Sequence, residues 1–277
     1  MAQTGKSMET MDYGTAHLAV ENSLATLTLN DPDRLNAIDE SMANGILASL
    51  AEVSKPRRRI RCLLLTGAGR GFCAGANLLG TAKQLDQKSS GERPVLDAVQ
   101  TLFHPLLRKF HALPIPVVAA VGGACVGFGL GLALTADYII ASHAAYFLVP
   151  FRRLASAPDS ALTWLLPRVV GLQRARQMIL RGERLSAETA LEWGLVNEIA
   201  PVEQFQARAR TVAEEFANGP TLALGEMRGL INDGLRLEID TAMEAEVRAV
   251  ARTSRTKDNV AAMRVFGTKE SPTFTGE

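Results

Sequence analysis

Two glycine-rich segments, each directly after an apolar strand-like run, constrain this chain more than any other feature of its sequence. The first covers residues 65–78 and the second covers residues 116–134. Glycine and alanine let a ligand approach the main chain closely, and the start of a helix leaves backbone N–H groups without partners. The pattern therefore predicts two units of strand, tight turn and helix that present N–H donors.

Two converging N–H donors are suited to chemistry at a carbonyl oxygen. An oxygen that becomes an enolate or a tetrahedral oxyanion gains on the order of 3 kcal/mol from each donor. Ordinary turns that pack a helix on a sheet are the alternative explanation of the same glycines. Two such segments in this order favour the oxyanion interpretation.

Apolar periodicity predicts the elements around these segments. A helix is expected over residues 41–54, and from residue 202 onward the pattern is helical. Residues 1–13 are polar and predict a disordered tail, whereas residues 81–94 predict a flap near the site. The predicted strands cover residues 17–20, 24–29, 62–66, 116–121, 138–141 and 195–199.

Four motifs resemble the crotonase family, also called the enoyl-CoA hydratase/isomerase family. They are LNDPDRLNAI at residues 29–38, FCAGANL at residues 72–78, the segment 116–137, and LSAETALEWGLV at residues 185–196. The resemblance covers residues 14–277 and implies an α/β fold, a crotonase-like spiral of ββα repeats with a C-terminal helical trimerisation region. The spiral core with the CoA and acyl site is expected over residues 14–200 and the helical region over residues 201–277.

The resemblance also implies the binding residues. Backbone N–H groups of Ala76 and Phe128 would form the oxyanion hole for the thioester carbonyl of an acyl-CoA. No cofactor is expected beyond the coenzyme A of the substrate. The residues implied to contact CoA or the acyl group are Arg34, Leu35, Ala37, Ala74, Asn77, Leu78, Gly127, Phe151, Trp164, Phe266 and Lys269.

The carboxylates depart from the hydratase pattern of that family. Hydratases use two glutamates to handle water, and the corresponding positions are Gly131 and Phe151. Neither side chain transfers a proton, so hydration of a 2-enoyl-CoA is disfavoured. Asp159 remains, and it resembles the acidic base of family isomerases that shift a double bond, including ring-opening isomerases of phenylacetyl-CoA degradation. Its local sequence is equally typical of a helix N-cap.

An isomerase is the favoured function. Asp159 would take a proton from C2 of a 3-enoyl-CoA and return it at C4, in an apolar pocket lined by Phe151, Leu154 and Trp164. The alternatives are a hydratase-type lyase, a thioester hydrolase or dehalogenase with Asp159 as nucleophile, and a non-catalytic CoA-binding or RNA-binding relative. Aryl dehalogenases of the family have a tryptophan where Phe151 stands, which lowers the support for that route.

Composition agrees with a compact soluble enzyme. The 277 residues are 47% hydrophobic and 21% charged, with a net charge of +1, which argues against nucleic acid as a partner. No apolar run is long enough to span a membrane, and no signal peptide is evident, so a cytoplasmic location is expected. The four histidines show no metal-ligand spacing, and Cys73 lacks an adjacent base. By resemblance, the chain is expected to form a homotrimer or a hexamer.

Overall fold

The computed structural model describes residues 8–77 and 97–277. Leu78, the predicted flap over residues 81–94 and the first seven residues lie outside the described residues. The helix expected after the first glycine-rich segment lies there as well.

Two sheets are built from short strands. The strands are β1 (Glu9–Asp12), β2 (Ala16–Glu21), β3 (Leu24–Leu29), β4 (Cys62–Gly67), β5 (Gly71–Cys73), β6 (Val117–Val121), β7 (Ala124–Val126), β8 (Tyr138–Ser142), β9 (Tyr146–Leu148), β10 (Leu185–Ser186) and β11 (Glu198–Ala200). The larger sheet has the order β1-β2-β3-β4-β6-β8-β11, and the smaller one has the order β10-β9-β7-β5.

Helices cover the sheets and form the C-terminal region. They are α1 (Glu40–Val53), α2 (His104–His111), α3 (Phe128–Ala133), α4 (Leu162–Val169), α5 (Leu172–Arg181), α6 (Ala187–Glu192), α7 (Phe205–Ala217), α8 (Thr221–Gly234), α9 (Ile239–Thr253) and α10 (Lys257–Val265). Shorter helical segments occur at Pro32–Arg34, Pro56–Arg58, Val99–Phe103 and Phe151–Leu154.

The chain contributes alternately to the two sheets, which confirms the predicted ββα repeat. Strands β4, β6 and β8 run parallel in the larger sheet, and each is followed by a partner, β5, β7 or β9, that runs parallel in the smaller sheet. Each repeat thus places the end of a short inner strand beside the same end of the next inner strand.

The predicted strand–turn–helix units are therefore wrong in one respect. Each glycine-rich segment contains a second short strand, β5 or β7, directly after the turn that ends the first strand. Gly123 permits this close packing, because a Cβ there would lie 2.0 Å from the Arg70 carbonyl oxygen. The segments are rich in small residues chiefly because two main chains touch.

The predicted N-terminal tail is also wrong for residues 9–12. These residues form β1, which pairs antiparallel with β2 from Glu9 opposite Val20 to Asp12 opposite His17. Met11 packs on the main core, and Glu9 forms a 2.6 Å ion pair with Arg58. A four-residue polar strand has no periodicity of its own, so only the neighbouring strand specifies it.

Candidate active site

The ends of β5 and β7 bring two stretches of main chain into contact. Gly71 pairs with Ala124 and Cys73 pairs with Cys125 in parallel register. A Cβ on Gly75 would lie 2.9 Å from the Val126 carbonyl oxygen and 3.6 Å from the Phe128 nitrogen. The structure therefore places the peptide that precedes Ala76 beside the first residue of α3.

The Ala76 N–H group points away from the chain segment that fixes it. Ile38 N donates to Gly75 O at 2.8 Å, and Asn77 N donates to Ile38 O at 2.9 Å, which is the pattern of a parallel bridge between Ile38 and Ala76. In such a bridge the N–H of the middle residue faces the opposite side. Gly75 has φ +97°, a conformation suited to glycine, and it sets the orientation of this peptide.

A second glycine orients the Phe128 N–H group. Gly127 has φ +53° and ψ −115°, a combination found at the first central position of type II′ turns, where glycine dominates. Phe128 then begins α3, where N–H groups lack helical acceptors. Neither the Ala76 N–H nor the Phe128 N–H has an acceptor within residues 8–77 and 97–277.

Asn36 ties the predicted CoA loop to the β4–β5 turn. Its buried side chain accepts from Asp31 N at 2.8 Å and donates to Ala68 O and Gly71 O, each at 2.9 Å. Leu35 and Asn36 both have left-handed backbones, with φ +51° and φ +57°. Asn36 was not among the residues predicted from the sequence, although asparagine is one of the few residues that tolerate this conformation and bond locally.

The loop residues predicted to contact CoA lie together. Leu35 O accepts from Ala74 N at 2.9 Å, so the loop runs along the segment that leads from β5 to Ala76. Arg34 forms ion pairs of 2.6 Å with Asp31 and 3.4 Å with Asp39 and remains 45% exposed. Ala37, Ala74 and Asn77 are half-buried on the same stretch.

The turn that carries Asp159 packs against α3 at Gly131. A Cβ on Gly131 would lie 2.3 Å from Ser160 O and 2.9 Å from Ser160 Cβ. The main chain of Ser160 therefore fills the space in which a side chain at position 131 would lie, and a glutamate does not fit there. Gly131 is three residues from Phe128, which is about 5 Å along a helix axis. The Asp159 turn thus packs on the same helix whose first residue carries the Phe128 N–H group.

Asp159 does not cap a helix. Helix α4 begins at Leu162, its N-cap residue is Ala161 with φ +57°, and no side chain bonds to its first turn. The N-cap interpretation of the sequence is therefore wrong. Asp159 is half-buried, and its Oδ1 accepts a hydrogen bond from Ser160 Oγ. Oδ2 has no hydrogen-bond or ion-pair partner in the part of the chain that the structure describes.

Residues 19–277 match the sequence profile of the family described as Enoyl-CoA hydratase/isomerase. The chain belongs to that family. It is 40% identical over 271 residues to the 1,2-epoxyphenylacetyl-CoA isomerase of Escherichia coli K12, covering 96% of this chain and 100% of the relative. It is 34% identical over 267 residues to a Rhodobacter capsulatus protein named as a probable enoyl-CoA hydratase, covering 96% and 100%.

Solved structures of enoyl-CoA hydratase/isomerase proteins show the same fold. The structure of Enoyl-CoA hydratase/isomerase from Cupriavidus metallidurans CH34 superimposes with a TM-score of 0.87 at 31% identity, covering 96% of this chain and 98% of the other. The predicted α/β crotonase spiral is therefore confirmed, and so is the assignment to this enzyme family.

Phe151 and Trp164 flank the Asp159 turn along the chain. Phe151 is buried, and Trp164 is half-buried, with Arg168 4.2 Å above its ring and the His111 ring 6.1 Å away at its edge. Leu154, however, is 49% exposed. The predicted apolar lining by these three residues stays a prediction.

The two thiols near the site are poorly reactive because they are buried. Cys73 and Cys125 are buried and reduced. Burial raises the pKa of the Cys73 thiol to about 12 and raises the pKa of Cys125 well above its usual range. A thiol held neutral is a poor nucleophile, so the structure agrees with the absence of a catalytic cysteine.

The remaining predicted contacts lie in the C-terminal region. Phe266 is 81% exposed, and Lys269 is exposed. Among the described residues, no hydrogen bond or ion pair joins either residue to Ala76, Phe128 or Asp159. None of the helices that the structure describes combines the length and the apolar character of a membrane span, and no cluster of potential metal ligands occurs among these residues.

Proposed function

We propose that this protein is an enoyl-CoA isomerase in which Asp159 moves a proton while the Ala76 and Phe128 N–H groups bind the thioester oxygen. The observation that carries the proposal is the contact between Ser160 and Gly131. It fills the place of one hydratase glutamate and holds Ser160, the residue next to Asp159, against the helix that begins at Phe128. The other glutamate position is the buried Phe151, which transfers no proton.

One carboxylate is sufficient for the reaction. The Asp159 carboxylate takes a proton from C2 of a 3-enoyl-CoA, and the electron pair of that C–H bond passes toward the thioester oxygen. The two N–H donors stabilise the negative oxygen of the resulting dienolate. When the dienolate collapses, the carbon–carbon double bond forms between C2 and C3 and C4 takes the proton back from Asp159. The carboxylate is regenerated, and no further cofactor is required.

The substrate of the proposed reaction is an acyl-CoA thioester. One hydrogen-bonded surface lies beside Ala76 and is proposed to bind the CoA portion of the substrate. Its residues are Arg34, Leu35, Ala37, Ala74 and Asn77. Gly127, Phe151 and Trp164 are assigned to the acyl side. The relative named as a 1,2-epoxyphenylacetyl-CoA isomerase supports the assignment as an isomerase. Its name also makes CoA thioesters of ring-derived acyl groups substrates to be tested.

We also propose that the protein acts as a homotrimer or a dimer of trimers. Helices α8, α9 and α10 expose apolar side chains that no described part of this chain covers, and a second copy is the partner that the proposal assigns to them. These side chains are Met227, Ile231, Ile239, Met243, Val247, Val250, Val260 and Met263. Phe266 and Lys269 would reach a CoA through this assembly. The three free buried thiols support a reducing, cytoplasmic location.

Product identity tests the proposal. The protein is incubated with 3-enoyl-, 2-enoyl- and aryl-CoA thioesters, and products are identified by NMR and mass spectrometry. Double-bond migration without addition of water is expected, and it is expected to disappear in Asp159→Asn but not in the surface variant Asp233→Asn. A 3-hydroxyacyl-CoA as main product, release of free CoA, or a covalent adduct on Asp159 would each contradict it.

A further inference from the structure

The residue next to the proposed base is unusually placed for a serine. Ser160 is 1% exposed, although serine is mostly found at the surface. Its Oγ donates to Oδ1 of Asp159, and this is the hydrogen bond that the structure gives to the buried hydroxyl. A buried hydroxyl without that acceptor would be unfavourable, so the two side chains hold each other.

The backbone at Ser160 would suit glycine better than serine. Ser160 and Ala161 have φ +61° and φ +57°, in the left-handed region that disfavours side chains. Residues in such conformations persist where the surrounding structure enforces them. Here Ser160 O packs directly against Gly131 of α3. Glycine at position 160 would relieve the strain and keep the contact. What serine adds is the hydroxyl group.

We propose that Ser160 is a positioning residue that holds the Asp159 carboxylate for proton transfer. The hydroxyl donates a hydrogen bond to Oδ1 and so fixes the rotation of the carboxylate. Oδ2, which has no partner among residues 8–77 and 97–277, is the oxygen assigned to the proton at C2 of the substrate. This inference rests on the proposed function, because it assigns a partner to the base named there.

The contact of Ser160 with α3 links the Asp159 hydrogen bond to the helix that carries one proposed oxyanion donor. Ser160 O lies against Gly131, which comes one helical turn after Phe128. The base, the serine and one oxyanion donor therefore belong to one packed unit. A carboxylate that rotates freely in that unit would lose its alignment with C2, and misplacement by about 1 Å costs on the order of 100-fold in rate.

Two variants separate the hydroxyl from the turn. Ser160→Gly removes the hydroxyl and also relieves the left-handed strain. The urea concentration at its unfolding midpoint is therefore expected to equal or exceed that of the wild type. Ser160→Ala removes the hydroxyl and keeps the strain. Both are expected to lower kcat by about 10-fold to 100-fold with little change in KM. A role confined to turn structure would lower stability and leave the kcat of the glycine variant intact.

Ala161→Gly is the matched control. It lies in the same turn with the same left-handed backbone, and it has no hydroxyl to lose. Its kcat is expected to equal that of the wild type. An equal loss in Ala161→Gly and Ser160→Gly would attribute the effect to a looser turn and overturn the inference.

The Asp159→Asn background keeps this inference distinct from the proposed function. Ser160→Gly added to Asp159→Asn is expected to cause no further loss of rate, because the hydroxyl acts through the carboxylate. If Asp159→Asn itself retains wild-type turnover, the proposed function fails. If Asp159→Asn is inactive while both serine variants keep wild-type kcat, the proposed function stands and the role of Ser160 is overturned.

Discussion

The two halves of the candidate site are built in opposite ways. The oxyanion half is main chain, oriented by Gly75 and Gly127 and locked by hydrogen bonds to Ile38. The acid–base half is the Asp159 side chain on a short strained turn. The first half depends on the fold and hardly on side-chain identity, whereas the second depends on one carboxyl group. Under the proposed function, the main-chain half would bind the thioester carbonyl whatever side chains stand there, and the residue beside α3 would determine the reaction.

Phe128 illustrates the first half. Its ring is buried and packs at 4.8 Å from the Phe103 ring, while its N–H group is the proposed oxyanion donor. The side chain therefore stabilises the helix start, and the backbone performs the proposed binding. Substitutions in each half test this contrast, and, apart from replacement of Asp159 itself, the largest effects are expected in the main-chain half.

Of the substitutions that leave Asp159 in place, Gly75→Ala is expected to have the largest effect. A Cβ at Gly75 would lie 2.9 Å from Val126 O, and φ +97° is unfavourable for alanine. The peptide before Ala76 must rotate or shift, which removes one donor and lowers kcat by about 100-fold to 1,000-fold. Steady-state assays of double-bond migration measure the loss.

Gly194→Ala is the control for that variant. Gly194 has φ +75° with no atom within 4 Å of the added Cβ, so it carries the same backbone penalty without a clash. Its cost is expected to be about 1 kcal/mol of stability and no loss of kcat. Equal losses of activity in the two variants would show that the position of the Ala76 N–H is not what matters.

Gly131→Ala probes the contact between the two halves. The added Cβ would meet Ser160 O at 2.3 Å and would push the Asp159 turn off α3. We expect kcat to fall by about 10-fold to 100-fold because the base is displaced. Gly229→Ala, in α8 with no atom within 4 Å, is the helical control and is expected to keep its activity. Hydratase activity in Gly131→Glu would contradict the tight packing of Ser160 on α3.

Asn36→Ala is expected to affect stability more than rate. It leaves Ala68 O, Gly71 O and Asp31 N without their partner, at a cost of about 3 kcal/mol in the free energy of unfolding. Asn22→Ala shares the left-handed backbone, with φ +55°, and should cost about 1 kcal/mol. Urea unfolding of both variants tests this. Equal losses in the free energy of unfolding would contradict a stabilising role of the Asn36 amide.

The smallest effect is expected at Cys73. With a pKa of about 12, its thiolate fraction at pH 8 is on the order of 1 in 10,000, so the folded protein should resist iodoacetamide. The fraction rises with pH, and unfolding in urea should restore ordinary reactivity. Mass spectrometry of the labelled peptides measures this. Rapid labelling of Cys73 in the folded state with loss of activity would reopen a nucleophilic role.

The main-chain half of the site was more predictable from the sequence than the side-chain half. Apolar periodicity predicted helix 41–54 and strand 62–66, which the structure places at Glu40–Val53 and Cys62–Gly67. Glycine patterns and motif resemblance located the segments that meet at Ala76 and Phe128. These features are local, so they are readable from neighbouring residues.

The features that the sequence missed depend on contacts between distant segments. Strand β1 exists because β2 offers an edge, and Asn36 is important because of carbonyl groups more than 30 residues away. Asp159 had equal local support as an N-cap and as a base. Only the left-handed turn at residues 160–161, supported by Gly131, showed that it does not cap α4.

Proton movement measures the proposed role of Asp159 as the base beside a main-chain oxyanion hole. A 3-enoyl-CoA is incubated in deuterium oxide with the wild type, Asp159→Asn or Asp233→Asn, and NMR follows double-bond migration together with deuterium at C2 and C4. We predict that migration and incorporation fall by about 1,000-fold in Asp159→Asn alone, with CoA binding retained. Migration and exchange at wild-type rates in Asp159→Asn would contradict the claim.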